Sequence, residues 1–229
     1  MLNLFLFVIL PYVAIILELV VSIYRYYNNS YKFSSLSSEF LESDQLFWGS
    51  VPFHYGIITI LLGHVIGFLF PSHVLAFGAV PVRLLIIEVT ALIFGLLALF
   101  GLIMLVKRRM TDPRVQVVST KMDFFILILL LLQVASGVGT AVMYRWGMNW
   151  YAISMVPYLK SLVFFKPDMS YVASMPWMVK FHIVNAFLII AVLPFTRLLH
   201  FLVLPVHYLW RSWQVVIWNY DRKKIRKSK

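Results

Sequence analysis

The stretch Val51–Pro71 reads "VPFHYGIITILLGHVIGFLFP", an apolar run in which His54 and His64 stand ten residues apart. A bilayer core of ~30 Å needs roughly 20 apolar residues in helical form. Lipid offers backbone groups no hydrogen-bond partner, so such a run has to be a helix. The stretch therefore reads as a membrane span that carries two titratable rings. Ionisable groups in a span are costly and concentrate at functional positions.

The rest of the chain has the same character. Its 229 residues are 62% hydrophobic and 17% aromatic, against about 45–50% apolar in soluble domains. Five stretches qualify as spans: residues 2–24, 52–70, 84–106, 124–143 and 179–203. Without an internal repeat or linker they form one domain, residues 1–229, which ends in a basic tail over 207–229. The fold class expected is all-α integral membrane, a five-transmembrane-helix bundle. The chain has no cysteine, which excludes thiolate-bound clusters within it. The first basic residue is Arg25, so the opening run lacks a signal's charged n-region and reads as a retained span.

A net charge of +11 might suggest nucleic acid. The basic residues instead flank the apolar runs, so no nucleic-acid partner is expected. Fourteen lie on the side of the first loop, the third loop and the tail, and five on the other. The positive-inside rule then places the N-terminus outside and the tail in the cytoplasm.

Four histidines lie within spans: His54 and His64 on the second, His182 and His200 on the fifth. These two spans run in opposite directions, so His54 matches His200 near the inner side and His64 matches His182 nearer the outer. His54 and His64 lie ~80° apart around a helix and ~15 Å apart along it. In one unbroken helix His182 and His200 would share a face ~27 Å apart. The two spacings differ, and a kink at Pro194 is expected to absorb part of the difference. Imidazoles opposed at matched depths fit two bis-histidine haems, with iron held by all four rings. Gly56, Gly63 and Gly67 would then make room for porphyrin faces. The same pattern fits a proton relay or helix packing, since polar side chains and small residues also join membrane helices.

Other polar residues have similar double readings. Arg108, Arg109 and Arg114 fit haem propionates or a plain topology signal. Arg197, three residues before His200, fits a propionate or a lipid phosphate. Glu18 and Glu88 fit proton transfer or pairing with local polar groups. Asp112, before Pro113, reads as turn chemistry. The aromatic fourth loop, residues 144–178, reads as an interfacial belt with a short helix in it. The tail "NYDRKKIRKSK" attracts anionic lipid.

The segments "FHYGIITILLGHVIGFLFPSH", "KRRMTDPRV" and "FHIVNAFLIIAVLPFTRLLHFLVLPVHYL" together resemble the gamma subunit family of respiratory nitrate reductases, in order and spacing, over nearly the whole chain. The resemblance implies two haem b groups, the inner held by His54 and His200 and the outer by His64 and His182. It implies quinol oxidation on the outer side of the cell (inner) membrane, with electrons delivered to a cytoplasmic iron–sulfur subunit and a molybdenum catalytic subunit. It also places Arg83 at the outer quinol site, where the family carries a lysine. Arginine keeps that charge but not its geometry. Related cytochrome b subunits serve other oxyanion and sulfur-compound oxidoreductases. From a different class, a non-haem membrane transporter or assembly protein would use the histidines otherwise.

Overall fold

The computed structural model describes residues 1–29 and 41–199. His200 and the basic tail lie outside the described residues. Five helices are long and apolar enough to cross a membrane: Leu2–Asn28, Asp44–Leu69, Pro81–Thr111, Lys121–Met143 and Trp177–Phe195. They make the chain a multi-pass, all-helical membrane protein of the expected class, and they are called here the first to fifth spans.

The helices are longer than the apolar runs. The second begins at Asp44 and carries Pro52 inside it, and the third runs on to Thr111 through Arg108 and Arg109. Hydropathy marks where lipid ends. A helix stops only where the sequence supplies a breaker, such as Pro113 after Asp112. Asp112 there caps the short helix Pro113–Val117, accepting from the N–H groups of Arg114 (2.8 Å) and Val115 (3.3 Å). The fourth span opens with a capping box, in which Thr120 and Asp123 satisfy each other's backbone N–H.

The fifth span departs from an unbroken 179–203 helix. Its α-helix ends at Val192, a 3₁₀ turn covers Leu193–Phe195, and Thr196 is extended (φ −106°, ψ 177°). Pro194 is responsible, since it has no N–H to donate and its ring clashes with the preceding turn. The freed carbonyls find a partner within the chain: the Arg25 guanidinium donates to Pro194 O and to Thr196 O (3.3 Å). A cation suits this place, because it meets the negative end of the fifth helix.

The second span packs on the third, the third on the fourth, and the fifth lies between the fourth and the first. Glycines set the second–third contact. A Cβ on Gly56 would lie 2.6 Å from Ala98 N and Phe94 O, and one on Gly101 would lie 2.6 Å from Gly49 O. The two backbones thus touch, which is how membrane helices gain van der Waals contact when lipid competes for apolar surface. This assigns Gly56 to helix packing. Gly67 makes room for the Tyr151 ring, 2.8 Å from where its Cβ would be. Only Gly63 of the three expected at a porphyrin face has open space beside it.

The fourth loop is a structured cover over one end of the bundle. Helical turns run from Gly147–Trp150 through the wide turn Tyr151–Met155 to Val156–Val163. Tyr158 is wholly buried and donates its O–H to Phe7 O at 2.8 Å. That carbonyl lacks its usual donor four residues on, because residue 11 is proline. Tyr12 returns the contact, donating to Leu162 O at 3.0 Å.

Near the C-terminal end of the third span Arg108, 3% exposed, donates through Nε to Glu42 Oε2 at 2.5 Å and through Nη2 to Glu42 O at 2.7 Å. Burial alone would raise the Glu42 carboxyl. The Gln45 N–H bond and the Arg108 bond and charge outweigh it, leaving the pKa below its ordinary 4.5. A carboxylate lowered in the native state stabilises it above pH 4.5 and loses that contribution as pH falls through the depressed native value. Wild-type thermal stability is therefore expected to fall on acidification below that point, and Glu42→Gln to flatten this part of the profile. Gly101→Ala is expected to cost about 1–3 kcal/mol by overpacking, read as a lowered Tm in detergent.

Candidate functional site

The second span presents His54 and His64 on its exposed surface. Each ring is fixed by its own helix. His54 Nδ1 lies 2.7 Å from Ser50 O, with Ser50 Oγ at 3.2 Å, and His64 Nδ1 lies 2.8 Å from Ile60 O. A carbonyl can only accept, so Nδ1 carries the proton in both rings and Nε2 keeps a free lone pair. An imidazole that ligates metal through one nitrogen has its other N–H held by a carbonyl in this way, which fixes the tautomer and aims the ring. Tyr151 holds His64 further: its ring stands edge-on at 5.3 Å and 79°, and its O–H donates to His64 O at 3.0 Å.

His182, on the fifth span, reaches the same tautomer through other partners. Its Nδ1 is 2.9 Å from Ser136 Oγ, which donates its own proton to Gln133 O at 3.0 Å, and its Nε2 is 3.1 Å from Gln133 Nε2. Asn185, 2% exposed, donates to Gln133 Oε1 at 2.9 Å and to Leu129 O at 2.9 Å. Asn185 thereby orients the Gln133 amide, whose N–H must face His182, so His182 Nε2 accepts and Nδ1 donates. Gly137 allows the close approach, since a Cβ there would lie 3.0 Å from His182 Cε1. The main packing of the second span is on the third, and that of the fifth is on the fourth and first. Among the described residues no three histidine or acidic side chains converge on one ion position.

The arginines divide by place. Arg109 donates to Ser119 Oγ at 2.9 Å and pairs with Asp123 at 3.3 Å, and Arg197 Nε approaches the same carboxylate at 3.8 Å. Two of the four arginines matched to propionates in the sequence, Arg109 and Arg197, thus converge around one carboxylate, which is 7% exposed. Arg108 is engaged with Glu42, and Arg114 with Asp112 at 3.2 Å. Arg83 sits exposed at the start of the third span, its guanidinium 5.4 Å above the Phe77 ring. Of the two intramembrane acids, Glu18 accepts from Ser22 Oγ at 3.1 Å and Glu88 from Gly147 N at 2.9 Å.

The chain matches the family model described as "Nitrate reductase gamma subunit" over residues 3–219. It belongs to the nitrate reductase gamma subunit family. Among curated relatives it is 34% identical over 210 residues to the nitrate reductase gamma chain of Bacillus subtilis (strain 168), covering 90% of this chain and 94% of that one. It is 32% identical over 218 residues to the respiratory nitrate reductase 1 gamma chain of Escherichia coli (strain K12), covering 94% and 97%. The nitrate reductase-like protein NarX of Mycobacterium tuberculosis (strain CDC 1551 / Oshkosh) is 27% identical over 213 residues, covering 90% of this chain but 32% of that protein.

Gln133, Ser136, Asn185, Asp123 and Tyr151 escaped the sequence reading of this family member. A signal for the first three was present: polar residues three apart inside apolar spans, with Asn185 three residues after His182. Ser136→Ala would leave the His182 Nδ1–H without its acceptor. A loss of about 1–3 kcal/mol is expected, measured by thermal unfolding in detergent.

Proposed function

We propose that this gamma subunit is the membrane-anchoring cytochrome b subunit of a respiratory nitrate reductase, with two haem b groups. His64 and His182 would hold the outer haem, and His54 and His200 the inner. The observation that carries the reading is the shared tautomer of His54, His64 and His182, each with Nδ1–H engaged and Nε2 left as a lone-pair site. The residues fit the group in other respects. Gly63, beside His64, has open space, and the second and fifth spans lean on other neighbours rather than mainly on each other. The Gln133 amide on His182 Nε2 is the contact that iron would replace.

Bound this way, the two haems would supply one-electron redox chemistry at two depths. The chain's own residues do the rest. Its basic distribution supports an N-terminus outside and a tail in the cytoplasm, with the spans in the cell's inner membrane. A membrane quinol would dock at the outer end, near His64, His182 and Arg83. The Arg83 charge would stabilise the quinol oxygen as its protons leave to the outside. At the inner end two guanidiniums share the single carboxylate of Asp123. That gathering of guanidiniums supports Arg109 and Arg197 as neighbours of haem propionates. The basic tail would attract anionic lipid, each Lys or Arg near the surface contributing ~1 kcal/mol, and would dock the cytoplasmic iron–sulfur and molybdenum subunits. Nitrate reduction itself would occur in the molybdenum subunit. Moving one charge inward across the membrane stores ~2.3 kcal/mol per 100 mV, so outer oxidation coupled to inner delivery conserves energy.

A pyridine-haemochrome assay on purified chain is expected to give two haem b per polypeptide. His64→Ala and His54→Ala are expected to remove different haems, and reduced quinol to bleach the oxidised spectrum. A folded sample without haem would overturn the reading and favour a non-haem membrane protein.

A further inference from the structure

We propose that Glu88 and Tyr151 are positioning residues for His64, acting together through the cover helix. The inference rests on the reading of His64 as an outer haem ligand.

Glu88 lies about two turns inside the third span, where a carboxylate is costly unless it has a partner. Its partner is the N–H of Gly147, at 2.9 Å. Gly147 is the first residue of the cover helix, and the residue before it, Trp146, is left-handed at φ 67°. The opening N–H groups of a helix have no partners of their own and carry partial positive charge. A carboxylate at this point therefore pins the whole cover by its N-terminus. Four residues on, at the next exposed turn of the same helix, comes Tyr151.

Tyr151 makes three contacts with the second span. Its O–H donates to His64 O at 3.0 Å, its ring meets the imidazole edge-on at 5.3 Å, and its flank fills the space that Gly67 leaves by lacking a Cβ. The Ile60 O bond decides which His64 nitrogen carries the proton, but a single hydrogen bond leaves the ring free to swing about it. The aromatic edge removes that freedom. Glu88, Gly147, Tyr151 and His64 thus form one linked series from the third span to the second, through an element that belongs to neither.

For an iron held by two imidazoles, the relative orientation of the ring planes sets the low-spin EPR signal and contributes to the midpoint potential, as do hydrogen bonds to the ligands. The test is a redox titration followed by EPR on the whole complex in native membranes, for wild type, Tyr151→Ala, Glu88→Ala and Glu88→Gln. In wild type, two low-spin signals are expected, one of which disappears in His64→Ala. Tyr151→Ala and Glu88→Ala are expected to shift the g value and midpoint of that signal alone, or to abolish it alone. Glu88→Gln, which keeps an oxygen acceptor for Gly147, is expected to match wild type. If Tyr151→Ala retains neither haem, Glu88→Ala against Glu88→Gln decides. The proposal fails if the His64-dependent signal keeps its wild-type position in both alanine variants, or if both signals move together in Glu88→Ala. Absence of haem from wild type, or two signals surviving His64→Ala, would instead remove the underlying haem assignment.

Discussion

A polar group inside a bilayer has no water to turn to, and among the described residues the span histidines and the carbonyls left open around prolines are matched with partners from the chain itself. The rule operates at every scale. His54 and His64 use carbonyls of their own helix, and His182 uses Ser136 and Gln133, which Asn185 orients in turn. The carbonyl stripped of its donor by Pro11 is met by Tyr158, and those released at Pro194 by Arg25. Because an unmet group in lipid costs several kcal/mol, these partnerships specify the arrangement more strictly than apolar contact can.

Apolar contact is correspondingly nonspecific here, and glycine supplies what it lacks. Gly56 and Gly101 bring the second and third spans to backbone contact, so the second span has one fixed face. With that face committed, the rings of His54 and His64 are left on exposed surface rather than within the pair. Gly67 then accommodates Tyr151, and Gly137 accommodates His182. Each glycine does a particular steric job, and the jobs differ along one helix.

How much of this was legible in the sequence depended on whether the signal was local. Five spans could be read because length and apolarity are properties of a single segment. Asp112 and the Pro194 kink could be read for the same reason, as proline acts on its own backbone. Helix ends could not, because hydropathy tracks lipid while a helix such as Asp44–Leu69 continues through polar residues until something stops it. Partners distant in the chain were also hidden. Nothing near Tyr151 in sequence points to His64, 87 residues away, nor does Arg25 announce Pro194, 169 residues away. The glycines were noticed, but their neighbours come from other helices, so Gly56 and Gly67 were given the wrong companion.

The interruption after Val192 has a bearing on how such a protein can change over time. In a continuous helix every residue inherits its compass bearing from the one before, and inserting one residue turns all that follow by ~100°. A 3₁₀ turn followed by extended Thr196 cancels that inheritance. Side chains on Trp177–Val192 can then be adjusted by mutation without turning the described residues 196–199 beyond the joint.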